Sequence, residues 1–236
     1  MRIIVVAICV AFAATAEAQD KQWQQYPLLL WGTTNSLRPL KWGPARFGTG
    51  VHVTYSLLRR PRSFPPVVFV NCLRMEPIDT LLATTHIRIE DFRAEVDRAF
   101  EQWSTVAGIS FEYTHDDSRA DIVIGMANAG RLASHSDYIG FANVLPEDRA
   151  GDTHRIVKSA ICLSPHVAWS LADVPTRVHT APVLRHEIGH AIGIAHSRVQ
   201  NGAVMLPSVG KVVGLSKFEI ETITFLYGRS RLVHWP

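Results

Sequence analysis

Apolar and polar side chains alternate along several stretches of the chain in the way expected for strands. VHVTYSLL, from Val51 to Leu58, alternates from one residue to the next, which is typical of a half-buried strand. Four later apolar stretches have the length and character of further strands, namely ISFEY, ADIVIGMA, GFANVLP and RIVKSAICLSP.

Two other stretches predict helices. In IEDFRAEVDRAFEQWSTVAG, Gly108 provides a stop signal, and four large apolar residues fall at helical spacing: Phe92, Val96, Phe100 and Trp103. We expect this stripe to pack onto a sheet. VLRHEIGHAIGIA has the apolar density of a core helix and contains no proline. The order of strands and helices therefore predicts one α+β domain, with a twisted mixed sheet and two main helices.

Two parts of the chain are not assigned by these patterns. Residues 19 to about 46 contain three tryptophans among turn residues, and we interpret them as an extended lead-in. From Arg59 to about Thr85 the chain is interrupted by prolines around one strand-like piece, VVFV. The role of this insert stays open.

The N-terminus has the pattern of a secretory signal peptide. Arg2 precedes the apolar run IIVVAICVAFAA, and Ala16-Glu17-Ala18 is a small-x-small cleavage site. We expect cleavage after Ala18 and no membrane anchor, because the apolar run is too short to span a bilayer. The mature protein should be secreted or periplasmic.

Charge excludes one class of partner, and the cysteine content predicts one covalent cross-link. The formal net charge of +3 is small and dispersed, so nucleic acid is not an expected partner. Cys9 leaves with the leader, and the mature chain keeps Cys72 and Cys162. In an exported protein this pair predicts one disulfide; two buried free thiols are the alternative.

The stretch HEIGHAIGIAH carries the candidate chemistry. His186 and His190 are four residues apart, so on a helix they lie on one face and can point at a single metal ion. Glu187 is the residue after His186, so it projects from a neighbouring side of the helix, where its carboxylate can act as a base on a metal-bound water. Gly193 permits a sharp turn that returns His196 to the same ion. The spacing predicts three nitrogen ligands and one carboxylate base around an open zinc site. Three core histidines without a metal are the alternative.

The motif resembles that of a known family of enzymes. After H-E-x-x-H-x-x-G-x-x-H come Ser197 and then Met205 in AVMLPS, which is the metzincin pattern. HVTYSL, AFEQWSTVAGISFEY, ADIVIG and the C-terminal helix LSKFEIETITFLYG resemble the matrixins, the matrix-metalloproteinase-like family. The resemblance implies a zincin-like metzincin domain over residues 41–230. It is preceded by the signal peptide (1–18) and the lead-in (19–40), and followed by a short tail (231–236).

The resemblance also implies a zinc endopeptidase acting on extended peptide or protein substrates as a monomer. The three histidines would hold one catalytic zinc, Glu187 would be the general base, and Met205 and Pro207 would form the turn beneath the metal. GFANVLP would be the edge strand that pairs with substrate. A zinc-bearing peptide-binding module without turnover is the main alternative. A structural domain stapled by zinc is a third, against which the open site argues.

Some features depart from the family. No cysteine-switch motif PRCGxPD is present, so the mechanism of latency stays open. His135 and Asp137 resemble two ligands of a second, structural zinc, but GFANV and SAICLSP supply no further histidine, and we expect a single zinc. His154 and His166 are the candidate substitutes. Calcium, which prefers oxygen ligands, has four candidate aspartates: Asp116, Asp117, Asp121 and Asp148. They have no fixed spacing, and a solvated acidic face is the favoured alternative.

Overall fold

The computed structural model describes residues 22–33, 36–64, 72–128, 138–197, 202–208 and 214–230. A short 3-10 helix at Gln22–Gln25 precedes the first strand. The strands are β1 (Leu30–Trp31), β2 (Arg38–Lys41), β3 (Val51–Leu57), β4 (Arg62–Ser63), β5 (Arg74–Glu76), β6 (Ile109–Tyr113), β7 (Ile122–Ala127), β8 (Gly140–Glu147), β9 (His154–Leu163), β10 (Trp169–Ser170) and β11 (Val178–His179). The helices are α1 (Ile78–Thr85), α2 (Ile89–Val106), α3 (Thr180–Ala191) and α4 (Lys217–Tyr227).

One large mixed sheet organises the molecule. Its strands run in the order β1-β2-β9-β7-β3-β6, and β8 pairs antiparallel with β9. The pairs β3–β6, β3–β7 and β7–β9 are parallel. The predicted α+β class and the five predicted strands are confirmed.

The helices cover one face of this sheet. All four residues of the predicted apolar stripe on α2 are buried in a single large core, together with residues of α3 and α4. Trp103 of α2 also donates its indole N–H to the carbonyl of Arg185 on α3, at 3.1 Å. The helix that carries two of the histidines is thus fixed to α2 by both packing and a hydrogen bond.

The opposite face of the sheet carries a smaller cluster. Neighbouring residues of β7 and β9 alternate between the two faces, and Val123 and Cys162 point to the outer one. Cys72, which precedes β5, forms a disulfide with Cys162 there. The disulfide prediction is confirmed, and the bond fastens the segment before β5 to the middle of β9.

The proline-interrupted insert contains structure that the sequence patterns did not identify. It includes β4, β5 and the helix α1, which follows directly on Pro77 and ends at His86 in a left-handed conformation (φ 58°). Four buried residues share one side of α1: Ile78, Leu81, Leu82 and Thr85. This i, i+3, i+4, i+7 spacing was the available signal, but it extends over only two turns and has no side-chain cap. VVFV lies outside the described residues.

The lead-in also joins the sheet. β1 pairs with β2, and β2 pairs in parallel with β9 through Leu40 and His154. Leu28 and Leu40 are buried in the main core. Among the described helices, none has the length and apolar character needed to cross a bilayer.

Candidate metal centre

Helix α3 and the turn after it bring the three histidines together. His186 and His190 lie one helical turn apart, with ring centroids separated by 4.7 Å. The helix ends at Ala191, and Gly193 adopts a positive φ of 99°. A side chain at Gly193 would collide with the carbonyl oxygen of Leu40, so the turn needs glycine for both its conformation and its space. After this turn the chain returns His196 to the other two rings.

The spacing of the three ring nitrogens suits a metal ion. His186 Nε2 lies 3.1 Å from His190 Nε2 and 3.3 Å from His196 Nε2. Two nitrogens that are each bonded to one tetrahedral zinc, at roughly 2.0–2.1 Å, lie about 3.3 Å apart. Within the described ranges, these three residues form the one group of three or more potential metal ligands whose ligand atoms converge.

In two of the rings, the hydrogen bond made by Nδ1 determines that Nε2 faces the centre of the group. His186 Nδ1 donates to the carbonyl oxygen of Val204 at 2.8 Å, and His190 Nδ1 donates to that of Ile194 at 2.7 Å. A neutral imidazole with its proton on Nδ1 presents the lone pair of Nε2 to the centre. Burial lowers the pKa of all three histidines, that of His190 to about 3. The rings are therefore neutral at pH 7, as metal ligation requires.

Glu187 is a buried carboxylate beside this group. Its Oε2 has no hydrogen-bond partner among the described residues. With the three imidazoles neutral, burial raises the pKa of Glu187 to about 8. A dication held by the imidazoles would oppose this shift, because an adjacent positive charge favours the carboxylate. An unpartnered buried carboxyl oxygen beside three neutral nitrogens fits a site built for a metal ion and a polar reactant.

The first residue of β8 touches the same carboxylate. A side-chain carbon added at Gly140 would lie 3.1 Å from Glu187 Oε1. Glycine therefore lets the backbone of β8 pass close to Glu187. The edge strand that the resemblance assigned to substrate pairing lies immediately beside the candidate base.

Met205 lies beneath the metal-binding helix. It is fully buried, and a side chain at Gly189 of α3 would overlap its sulfur. The backbone N–H of Ser197 donates to the carbonyl oxygen of Met205 at 2.7 Å, which ties the turn to the residue after His196. Pro207 is exposed in the turn that follows.

Glu219 is a site residue that the sequence analysis missed. Its buried carboxylate accepts the backbone N–H of Met205 on Oε1 at 2.6 Å and that of Ser216 on Oε2 at 2.7 Å. Ser216 and Glu219 form the capping box that starts α4. The S-x-x-E spacing was visible in the sequence, but its link to the methionine turn depends on the fold.

Comparison with known proteins agrees with this geometry. A family model described as matrixin matches residues 80–228, which is more than half of the chain. The chain belongs to the matrixin family. Matrixins are typically secreted, and the disulfide is consistent with an oxidising compartment.

Several curated matrixins resemble the chain. Metalloendoproteinase 1-MMP of Arabidopsis thaliana is 35% identical over 159 residues, which are 61% of this chain and 40% of that protein. The hatching enzyme of Paracentrotus lividus is 28% identical over 192 residues, 74% of this chain and 30% of that protein. Macrophage metalloelastase of Oryctolagus cuniculus is 29% identical over 158 residues, 61% of this chain and 31% of that protein. The chain thus spans less than half the length of these relatives.

The candidate residues for a second zinc site are not brought together in the described part of this matrixin. His135 and Asp137 lie outside the described residues. Both ring nitrogens of His154 make hydrogen bonds within the protein: Nε2 contacts the carbonyl oxygen of Ser36 at 2.9 Å, and Nδ1 accepts the N–H of Arg149 at 3.2 Å. His166 is exposed and belongs to no described group of metal ligands.

Three of the four aspartates considered for calcium, Asp116, Asp117 and Asp121, accept hydrogen bonds within the protein. Asp121 accepts both the N–H and the hydroxyl of Thr54, at 2.8 and 2.9 Å. Asp117 accepts the N–H of Arg59 at 2.7 Å. Asp116 accepts from Ser118, and Asp148 lies 3.6 Å from His154. None of the four belongs to a convergent group of ligands in the described part of the chain.

Proposed function

We propose that this matrixin is a secreted, monomeric, zinc-dependent endopeptidase that hydrolyses peptide bonds of protein substrates. The observation that carries the proposal is the buried carboxyl oxygen of Glu187, without a hydrogen-bond partner among the described residues, on the helix that carries two of the three converging imidazoles. A domain that held zinc only to stabilise its fold would not require this buried carboxylate.

His186, His190 and His196 would hold the zinc through their Nε2 atoms. When bound, zinc lowers the pKa of a coordinated water toward neutrality and polarises the scissile carbonyl. The protein's contribution is orientation, since the carbonyl oxygens of Val204 and Ile194 keep two of the rings in the required tautomer and direction.

Glu187 would act as the general base. Its carboxylate takes the proton of the attacking water and then delivers it to the nitrogen of the leaving amine. Burial of Glu187 against Gly140 keeps bulk solvent from its oxygens, so the transferred proton stays at the reacting atoms.

β8 would bind the substrate as an added strand. Its one pairing partner among the described strands is β9, so no described strand occupies the second edge of β8, on the side that begins beside Glu187. Main-chain hydrogen bonds along such an edge bind extended peptides with little dependence on sequence. We expect Leu206 and Pro207 to favour an apolar residue just after the scissile bond; Val209, assigned to the same wall, lies outside the described residues.

The deciding experiment uses the purified mature protein. It should cleave casein or gelatin, and a zinc chelator should abolish the cleavage; cut sites mapped by mass spectrometry would report the residue preference. A protein that carries about one zinc per chain and binds peptides, but cuts none of these substrates, would support the peptide-binding module instead. Absence of bound zinc in the folded protein would contradict both functions.

A further inference from the structure

Five residues, 191–195, connect the second histidine of the motif to the third. Part of their backbone is satisfied by α3 itself: Ile192 N–H donates to Ile188 at 3.0 Å, and Ile194 N–H donates to Gly189 at 2.9 Å. The last carbonyls of a helix have no partner within the helix and must find one elsewhere. Gly193 N–H also donates locally, to His190 at 3.0 Å, and the carbonyl of Ile194 accepts from His190 Nδ1. The carbonyls of Ala191, Ile192 and Gly193 and the N–H of Ala195 find their partners in distant parts of the chain.

The first partner is Trp42, just after β2. Its indole N–H donates to the carbonyl oxygen of Ala191 at 2.9 Å, and the indole is buried. The backbone N–H of the same residue donates to the hydroxyl of Tyr227 at 3.0 Å.

The second partner is Tyr227, the last residue of α4. Its hydroxyl donates to the carbonyl oxygen of Ile192 at 2.9 Å, and its side chain is almost completely buried. Trp42 and Tyr227 therefore form one hydrogen-bonded unit that holds two successive carbonyls, where no bulk water can replace a lost donor.

The lead-in adds a third support from the backbone. Leu29 N–H donates to Gly193 at 2.8 Å, and Ala195 N–H donates to Pro27 at 2.7 Å. Leu28 and Ile194 form an antiparallel bridge between these bonds. The path of residues 191–195 is thus fixed on several sides before the chain reaches His196.

We propose that Trp42 and Tyr227 are positioning residues of the metal centre, acting through the carbonyls of Ala191 and Ile192. This proposal rests on the proposed zinc-peptidase function. Neither residue belongs to the converging ligand group. The connection that they hold determines the position of His196 and, through the bond from His190 Nδ1 to Ile194, the orientation of a second ring. Displacement of this segment would therefore disturb two of the three ligands together.

The test removes each hydrogen-bond donor and keeps an aromatic ring. Tyr227→Phe loses only the hydroxyl, whereas Trp42→Phe loses the indole N–H together with part of the buried indole volume, which its control must match. Loss of a group bonded directly to a metal ligand typically costs about 10- to 100-fold in affinity, and these donors act one bond further out, so we expect each variant to bind zinc about 10-fold more weakly. Zinc affinity is measured by competition with a chromophoric chelator. At saturating zinc, kcat should fall while KM for a peptide stays close to that of the unchanged protein.

Two matched variants control for lost packing and lost stability. Trp169→Phe removes an indole N–H that donates to Ser164 at 2.9 Å, and Tyr55→Phe removes a hydroxyl that donates to Asp97 at 2.6 Å. Both side chains are buried, and neither contacts residues 191–195 through these bonds. We expect both controls to be destabilised without a change in zinc affinity.

The outcomes separate this proposal from the proposed function. If the unchanged protein binds zinc tightly and Trp42→Phe and Tyr227→Phe bind it as tightly as their controls do, the positioning role is wrong while the peptidase proposal stands. If the unchanged protein binds no zinc, the peptidase proposal itself fails. If Trp42→Phe does not fold, the zinc affinity of Tyr227→Phe compared with that of Tyr55→Phe decides the proposal in the same way.

Discussion

The two faces of the sheet are stabilised in different ways. On the helix-covered face, α2, α3 and α4 bury one large apolar core beneath the metal centre. On the outer face, the Cys72–Cys162 disulfide lies in a small cluster with Leu58, Met75 and Val123. One face depends on many individually weak contacts, and the other depends on a few contacts and one covalent bond. Chemistry and outer-face stability should therefore respond to different substitutions.

The largest expected effect is on the helix-covered face. Glu187→Gln keeps the size of the side chain but cannot accept a proton at neutral pH, so peptidase activity should fall by about 10²- to 10⁴-fold. Because the glutamate is proposed as the base and not as a ligand, zinc content measured after dialysis should stay near one per chain. His190→Ala is the matched comparison and should lose zinc, since it removes a proposed ligand. A Glu187→Gln protein that lost its zinc as readily as His190→Ala would show that base and ligand had been assigned wrongly.

The next effect concerns the outer face. Replacing both Cys72 and Cys162 with alanine should lower the free energy of unfolding by about 2–4 kcal/mol, because the cross-link closes a loop across a sequence separation of 90 residues. Denaturant unfolding measures this change. Zinc content and activity well below the unfolding temperature should be retained. Loss of zinc together with stability would mean that the two faces are not independent.

Lowering the pH should lower the free energy of unfolding, because His190, on the helix-covered face, is buried in its neutral form. Its pKa is the ordinary 6.5 in the unfolded chain and about 3 in the folded one, because the ring is buried. Between these values the unfolded chain binds more protons, so stability falls as the pH falls. The change is up to about 1.4 kcal/mol per pH unit for one such group.

The measurement compares denaturant unfolding of the unchanged chain and His190→Ala from pH 7 to pH 4, both in chelator. The stability of the unchanged chain relative to the variant should decline over this range. A constant difference across the range would mean that His190 is not buried in its neutral form.

The smallest predicted effect tests the link between α4 and the methionine turn. Ser216→Ala removes the side-chain acceptor of the capping box and should cost about 1 kcal/mol of stability. Ser104→Ala, at a partly exposed position of α2, is the control and should stay within about 0.5 kcal/mol. Equal effects of the two substitutions in denaturant unfolding would argue against a special role for this cap.

Local sequence patterns predicted those parts of the site that lie close together along the chain. The spacing of His186, His190 and Gly193 determines their geometry within one helix and one turn, so it could be predicted without knowledge of the fold. The alternating strands and the stripe of α2 were predictable for the same reason.

The parts that were missed depend on contacts between distant residues. Trp42 and Ala191 are separated by 149 positions, and Trp42 and Tyr227 by 185. A single sequence contains no pattern that joins such positions. The hydrogen bonds of the His154 ring could not be predicted for the same reason, because one partner is Ser36, which is 118 residues away.

The bridge between Leu28 and Ile194 joins the N-terminal segment to the connection between two proposed zinc ligands, so zinc binding and docking of this segment should be thermodynamically linked. By reciprocity, any free energy that zinc contributes to ordering residues 191–195 also strengthens the attachment of residues 27–29. The amide protons of Leu29 and Ala195, which donate across this contact, should then exchange with solvent more slowly when zinc is bound. Conversely, a proteolytic nick just after Trp31 would loosen the N-terminal segment and raise the rate at which zinc is lost.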